Sequence, residues 1–231
     1  MASMEKIKSR NILRSRIKHN LRAYKKTPKH IDTTKSLSNY GLVQCENDNG
    51  KTLSPLEFFD LRMKDIWRLN RKTGIVIAFE WIITLPEEIT DFDDELKFFS
   101  ALREYLCDCY GEKNLMSLEI HKDEKTPHAH ALLIPTVKND KQSNLRPQLE
   151  KLSAKELLNI AHIGNWHKNF QSFLDGKDIV CQVQTGITKS NGGNKSVREL
   201  KLETRIRSLE RELEREREYN RSLEYGVGYE E

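Results

Sequence analysis

The chain has no apolar run of about eighteen residues, the length a membrane-spanning helix needs, so no transmembrane segment is expected. Its opening residues, Met1-Ala-Ser-Met-Glu-Lys6, lack the apolar core of a secretory signal. Cysteine is scarce: Cys45, Cys107, Cys109 and Cys181 make the full set, and their spacing matches no zinc finger. We read them as reduced thiols of a cytoplasmic protein, with Cys107 and Cys109 on an amphipathic helix. No internal repeat is evident. Apolar residues are also few, 37% against 32% charged, with a mean hydropathy of −0.71. That balance implies exposed charged segments attached to a domain. The 231 residues suffice for one sizeable domain with an appendage.

Charge of one sign is missing only on average. The net charge is +4, yet residues 1–40 carry eleven Lys/Arg and two Asp/Glu, a local +9. Residues 196–231 carry eight against ten, a local −2. A basic leading segment points to a polyanion, most simply nucleic acid, although a solvated basic helix would carry the same charge.

Hydrophobic periodicity and punctuation place the elements. Residues 6–26 read as a basic helix or a strand followed by a helix, stopping before Thr27-Pro28. Residues 27–52 are polar, with Asn47-Asp-Asn-Gly50 as a loop. Ser54 caps a helix to about Leu69, with Pro55 at its first position and Glu57 completing a capping box. Residues 75–85 are β-branched and aromatic, which predicts a central strand. Asp91 or Asp93 opens a helix to about Tyr110, with Leu96, Phe99, Leu102 and Leu106 at helical spacing. A polar loop spans residues 138–147. Ser153 and Glu156 make a second capping box, opening a helix to Phe173 with Gly164 as a point of interruption. Residues 178–184 read as a short edge strand. Trp67, Trp81 and Trp166 are expected in the core.

Residues 185–196, rich in Gly, Asn, Lys and Ser, read as a linker between a domain at 1–184 and a charged helix at 197–231. In that helix Leu202, Ile206, Leu209, Leu213, Glu216, Asn220 and Leu223 alternate at steps of four and three. This is a coiled-coil-like heptad seam of about three heptads, a candidate homodimer contact; a single charged helix is the alternative.

The densest chemistry lies in one stretch, His121-Lys-Asp-Glu-Lys-Thr-Pro-His128-Ala-His130. Residues 115–120 before it and 131–134 after it are strand-like, and the polar residues between them suit a hairpin turn. Side chains two apart on a strand share a face at roughly 6–7 Å. Two imidazoles so placed can converge on one ion at about 2.1 Å, and the hairpin brings the third. Three neutral ligands leave coordination positions open, which suits catalysis better than a closed structural site.

This stretch resembles the His-x-Asp-Glu-x-x-Pro-His-x-His signature of the MobV (Pre/Mob) plasmid mobilisation relaxases. Three further segments resemble that family in order and spacing: Lys18-His19-Asn20-Leu21-Arg22, Asn39-Tyr40-Gly41-Leu42, and Glu80-Trp81-Ile82-Ile83-Thr84. The resemblance is clearest over residues 15–136 and weaker to about 200. It implies an α+β fold of the HUH endonuclease type, a central antiparallel sheet carrying the histidine cluster with flanking helices.

It also implies an activity: nicking of one DNA strand at a plasmid origin of transfer, through a covalent link to the new 5′ end, to start conjugative mobilisation. The implied cofactor is Mn²⁺ or Mg²⁺ held by His121, His128 and His130. The implied nucleophile is His19, with Tyr24 and Tyr40 as rivals. Glu124 is the candidate base or orienting group, ahead of Asp123. Arg10, Arg14, Arg16 and Lys18 are candidates for gripping the DNA backbone. Asn20 and Arg22 are candidates for contacting phosphate or positioning His19. A bacterial, plasmid-encoded cytoplasmic protein that meets a conjugation coupling protein is the corresponding expectation. Family members often end in a long coiled coil, so this chain is short for a complete relaxase. His30, His162 and His167 receive no role.

Competing readings are a rolling-circle replication initiator or transposase of the same superfamily, a non-catalytic DNA-binding repressor, and a small-molecule metallohydrolase. The motif preceding the histidines disfavours the first, because such proteins usually place the nucleophile after them. The open three-ligand site disfavours the second, and the basic leading segment the third.

Overall fold

The computed structural model describes residues 2–68, 74–141, 143, 147–183, 206, 209–210 and 212–217. Residues 1–185 form one compact unit and residues 186–231 a second.

The first unit opens with strand β1, Ala2–Ile7, then helix α1, Arg10–Asn20. Ser9 caps α1, its Oγ accepting from the Ile12 amide at 3.3 Å. The segment expected at 6–26 is thus a strand and a helix that stops at Asn20. Strand β2, Tyr40–Gly41, precedes a hairpin of β3, Cys45–Glu46, and β4, Thr52–Leu53. The expected Asn47-Asp-Asn-Gly50 loop joins them; Asn47 Oδ1 accepts from the amides of Asn49 and Lys51, and Gly50 takes φ +73°.

Helix α2, Pro55–Asp65, has the expected capping box between Ser54 and Glu57. It ends four residues early, because Ile66 turns extended and begins β5, Ile66–Trp67. The apolar run yields β6, Ala78–Thr84. Helix α3, Phe92–Tyr110, is capped by Asp91 and stopped by Gly111 at φ +83°. Phe99, Leu102 and Leu106 are buried as expected, while Leu96 is exposed.

Strands β7, Leu115–His121, and β8, His128–Leu133, form the expected hairpin. Strands β9, Thr136–Lys138, and β10, Glu150–Leu152, follow. The helix expected from Ser153 is two helices, α4, Ala154–Leu157, and α5, Ile160–Asp175. The break falls at Leu158–Asn159, where Asn159 Oδ1 caps α5 by accepting from His162 N at 2.9 Å. Gly164 lies inside α5 without interrupting it. The Ser153 hydroxyl donates to the Glu156 carboxylate and caps no backbone amide, so the second capping box is incomplete. Residues 178–183 are not a strand. Gln171 takes their backbone instead, donating to Cys181 O and accepting from Val183 N.

Five strands form one antiparallel sheet in the order β1-β6-β8-β7-β2. A small second sheet, β5-β10-β9, and the β3-β4 hairpin stand apart from it. Strand alternation gives the large sheet two faces. One face, with Phe79, Trp81, Ile83, Leu118, Ile120, Ala129, Ala131 and Leu133, packs on α3 and α5. Trp81 stacks on Trp166 at 4.3 Å and donates Nε1–H to Tyr110 Oη. Each large apolar side chain buried here contributes roughly 1.5–3 kcal/mol. On the other face Ile7, Ala78, Met116 and Leu132 meet Leu13 and Ile17 of α1 and Phe59 and Met63 of α2. Trp81 and Trp166 are core, as expected; Trp67 is half-buried.

The four cysteines are free. Among the described residues no helix is long and apolar enough to cross a membrane. In the second unit the described heptad positions Ile206, Leu209, Leu213 and Glu216 are helical and exposed. The linker at 185–196 and the remaining heptad positions lie outside the described residues.

Candidate functional site

Register decides which side chains meet. Directly opposed residues of an antiparallel pair project from the same face. His121 is opposed to His128, Glu119 to His130, and His130 to Ile82 on the other neighbour. On β8 the small Ala129 and Ala131 fill the α3/α5 face, so His128 and His130 take the face beneath α1. Glu80 of β6 shares that face, and α1 ends above it, delivering His19 and Asn20. Ring centroids lie 4.9 Å apart for His128 and His130, 4.7 Å for His121 and His130, and 5.4 Å for His121 and His128. His19 stands 5.1 Å from His130 and 5.7 Å from His121.

Each of the three hairpin histidines has one nitrogen occupied by an outer acceptor. His128 Nδ1–H donates to Thr126 O at 2.8 Å. His130 Nδ1–H donates to Glu80 Oε1 at 2.9 Å. His121 Nε2–H donates to Asn20 O at 2.8 Å. The lone pairs left are His128 Nε2, His130 Nε2 and His121 Nδ1. The first two are 3.1 Å apart, and the third is buried with no hydrogen-bond partner. Protonating a ring would relieve this crowding, but burial opposes it. Burial pushes His121 down to about 3, and His130 well below its ordinary value, with the His128 charge adding to the second effect. Three imidazole nitrogens converging on one point, each ring oriented through its other nitrogen by a second partner, are a donor set suited to a divalent cation.

Two ligand groupings share His121: His19, His121 and His130, and His121, Glu124 and His128. Glu124, expected as a base, is therefore placed among the potential ligands. Burial raises its carboxyl, but the Arg22 hydrogen bond and nearby positive charges outweigh this and hold it below the usual value.

The end of α1 fixes His19. Ala23 N donates to Lys18 O at 2.9 Å and Arg22 N to His19 O at 3.1 Å, closing the helix as a Schellman motif. Its left-handed position, normally glycine, is Arg22 at φ +54°. Arg22 reaches from there to Asp123 and Glu124. Asp123 is fully buried and also accepts from Ser36 Oγ at 2.8 Å and Asn39 Nδ2 at 2.7 Å. Burial alone would raise the Asp123 carboxyl; these bonds and the Arg22 charge hold it down to about 2. Burial, then the Arg22 charge, lowers His19, which stays neutral near pH 7.

The remaining candidates divide. Tyr24 Oη hydrogen-bonds His19 Nδ1. Tyr40 does not belong to the site: it is opposed to Ile120, packs on the α3/α5 face and donates to Glu95 Oε1 at 3.0 Å. That is a correction of Tyr40 as a rival nucleophile. Asn20, expected to contact phosphate or to position His19, is buried, its side-chain Nδ2 donating to Glu80 and its backbone carbonyl accepting from His121. Arg10 pairs with Asp60, and Arg16 with Glu5 and Glu80. Arg14 and Lys18 are exposed on α1. Sequence reasoning gave no role to Glu80, Ser36 or Asn39. A glutamate inside an apolar strand was a legible signal for Glu80; for Ser36 no signal existed.

The family model for plasmid recombination enzymes, Mob_Pre, matches residues 1–201. The chain belongs to this family. A plasmid recombination enzyme of Lactiplantibacillus plantarum is 30% identical over 92% of this chain and 56% of its own length. One of Streptococcus agalactiae is 26% identical over 92% of this chain and 41% of its own length. The chain spans about half the length of these curated Mob_Pre relatives. In fold it is similar to the MobM relaxase domain bound to pMV158 oriT DNA in a Mn-bound crystal structure at pH 4.6, with a TM-score of 0.66 and 25% identity. That likeness covers 87% of this chain and 97% of the solved one. A second Mn-bound MobM complex, at pH 6.8, gives a TM-score of 0.67 at 24% identity. The α+β architecture with a central antiparallel sheet is the one the sequence led us to expect.

Proposed function

We propose that this chain is a metal-dependent DNA relaxase. It cleaves one strand at a plasmid origin of transfer, holds the new 5′ end covalently, and so begins conjugative mobilisation. The observation that carries the reading is the convergence of three unprotonated histidine nitrogens beside a fourth, neutral histidine. The Mob_Pre relatives and the MobM complexes with oriT DNA support it.

His121, His128 and His130, with Glu124 alongside, would hold a divalent ion, Mn²⁺ or Mg²⁺, which would supply Lewis-acid polarisation of the scissile phosphate. The rest is work for the chain's own groups. Glu80 and the carbonyls of Thr126 and Asn20 fix the tautomers of the three rings. Arg22 ties α1 to the β7–β8 turn, holding His19 against the cluster. His19, neutral and half-buried, serves as nucleophile. Arg14 and Lys18, exposed on α1, grip the DNA backbone, a salt-sensitive contribution. The heptad segment serves self-association, and a conjugation coupling protein receives the complex.

The test is nicking of supercoiled cognate plasmid with Mn²⁺, read together with the protein–DNA adduct on denaturing gels. Wild type should nick and form the adduct, and His19→Ala should do neither. Tight binding without nicking by wild type would leave the repressor reading in its place.

A further inference from the structure

The Tyr24 hydroxyl has no part in the reaction just described, yet it hydrogen-bonds Nδ1 of His19. We propose that Tyr24 is a positioning residue that holds His19 in the tautomer with hydrogen on Nδ1, so that Nε2 carries the attacking lone pair. The inference rests on the reading of His19 as nucleophile and deepens it.

The backbone builds this contact on purpose of geometry, not by chance proximity along a helix. Five residues along an intact helix would place Tyr24 past His19 and turned away from it. The left-handed Arg22 ends α1, and Tyr24 N then donates to Arg22 O at 2.9 Å, folding the chain back. The Tyr24 ring thereby meets His19 edge-on, with centroids 6.1 Å apart and planes at 73°. Arg22 tolerates its backbone conformation because its side chain is anchored on Asp123 and Glu124. The same residue therefore positions both partners of the contact.

An attacking imidazole must be neutral, with hydrogen on one nitrogen and a lone pair on the other. Two arrangements remain. If Tyr24 donates O–H to Nδ1, the imidazole hydrogen sits on Nε2 and no lone pair is left for attack. If Nδ1–H donates to the Tyr24 oxygen, Nε2 is free. The nitrogen that reacts is set by the hydrogen bond that the other one makes, and only the second arrangement supports the chemistry.

The step balances. The Nε2 lone pair forms the N–P bond as the P–O3′ bond breaks with its electron pair moving to O3′. O3′ takes one proton from solvent, giving a free 3′-hydroxyl. One proton leaves Nδ1 by way of the Tyr24 oxygen to solvent, so the phosphoramidate ends neutral at the imidazole. Rejoining runs the same transfers in reverse.

The experiment is histidine ¹⁵N chemical shifts of the full chain saturated with diamagnetic Mg²⁺, beside adduct-formation rates for wild type, Tyr24→Phe and His19→Ala. Wild type should show His19 with hydrogen on Nδ1. Tyr24→Phe should shift His19 towards the Nε2–H form and slow the adduct at least about tenfold, as a wrong tautomer does elsewhere, while keeping it on position 19. Wild-type His19 with hydrogen on Nε2 would overturn the proposal, and this measurement needs no variant. An unchanged tautomer in Tyr24→Phe, with the adduct still lost in His19→Ala, would overturn it and leave the nucleophile reading intact. An adduct that survives in His19→Ala and vanishes in Tyr24→Phe would overturn both and make Tyr24 the nucleophile.

Discussion

The Arg22 guanidinium and the Asp123 carboxylate, 101 residues apart in the chain, meet as a two-point pair: Nε lies 3.0 Å from Oδ2 and Nη2 2.5 Å from Oδ1. This pair joins the end of α1, which carries His19, to the turn after β7, which carries the histidine cluster. Ser36 and Asn39 complete the Asp123 shell, and the Asp32 amide donates to its carbonyl. Two separate stretches of sequence, the end of α1 and residues 36–39, are thus registered on one carboxylate.

Removing the guanidinium should therefore destabilise the fold as well as the site. Arg22→Ala strands a buried carboxylate and should cost about 3–5 kcal/mol, as breaking buried pairs does. Arg22→Gly loses the same pair but suits the left-handed backbone, and should be more stable than the alanine variant by about 1 kcal/mol. Denaturant midpoints of the three proteins check both. Equal midpoints for the alanine and glycine variants would contradict the strained-cap account.

Glu80 orients His130 without touching the proposed ion. Glu80→Gln should weaken Mn²⁺ binding by about tenfold or more, the usual consequence of losing an outer-shell carboxylate. Calorimetric titration measures this. An unchanged affinity would mean that His130 is held in place by packing alone.

Tyr40 lies on the opposite face of the sheet from the cluster. Tyr40→Phe should nick and form the adduct at the wild-type rate. It should lose about 1–2 kcal/mol of stability with the hydrogen bond to Glu95. Loss of the adduct in this variant would refute the register derived for β2.

Acid should destabilise the metal-free protein before its carboxylates titrate. His121 is lowered to about 3 in the fold by burial, against 6.5 in the unfolded chain. The unfolded state therefore binds the proton first. The stability from a neutral His121 is complete above pH 6.5 and is lost progressively as pH falls towards 3, and His130 acts in the same direction. Denaturation of the metal-free protein at pH 7.5 and pH 5.0 should give a lower midpoint at pH 5.0. His121→Phe should flatten part of that difference, and an unchanged slope would contradict the assignment.

Much of the fold was legible because its signals are local. The β-branched run over 75–85, the Ser54–Glu57 capping box and the Asn47–Gly50 turn each depend on neighbours within a few residues, and each was found. The misplaced boundaries have tertiary causes. Helix α2 stops at Asp65 because Ile66 and Trp67 are recruited to pair with β10, some eighty residues on. The helix expected from Ser153 breaks at Asn159 because that side chain makes a better cap, and the edge strand expected after Asp178 is replaced by bonds to Gln171.

The sequence by itself determined the histidine hairpin. Two histidines at spacing two on a strand, and a third across a short turn, share a face by the alternation of the pleat alone. It also determined that His19 lies in a basic, partly helical segment with an arginine three residues on, while the stop at Asn20 came from the left-handed closure at Arg22. Tertiary structure alone decided which face that is, because the choice rests on Ala129 and Ala131 being small enough to let α3 and α5 approach the other one. It likewise decided the partners of each imidazole nitrogen, the change of Asp123 from candidate base to buried hub, and the separation of Tyr40 from Tyr24. Hydrogen-bond partners and burial are set by residues remote in the chain, and no local pattern encodes them.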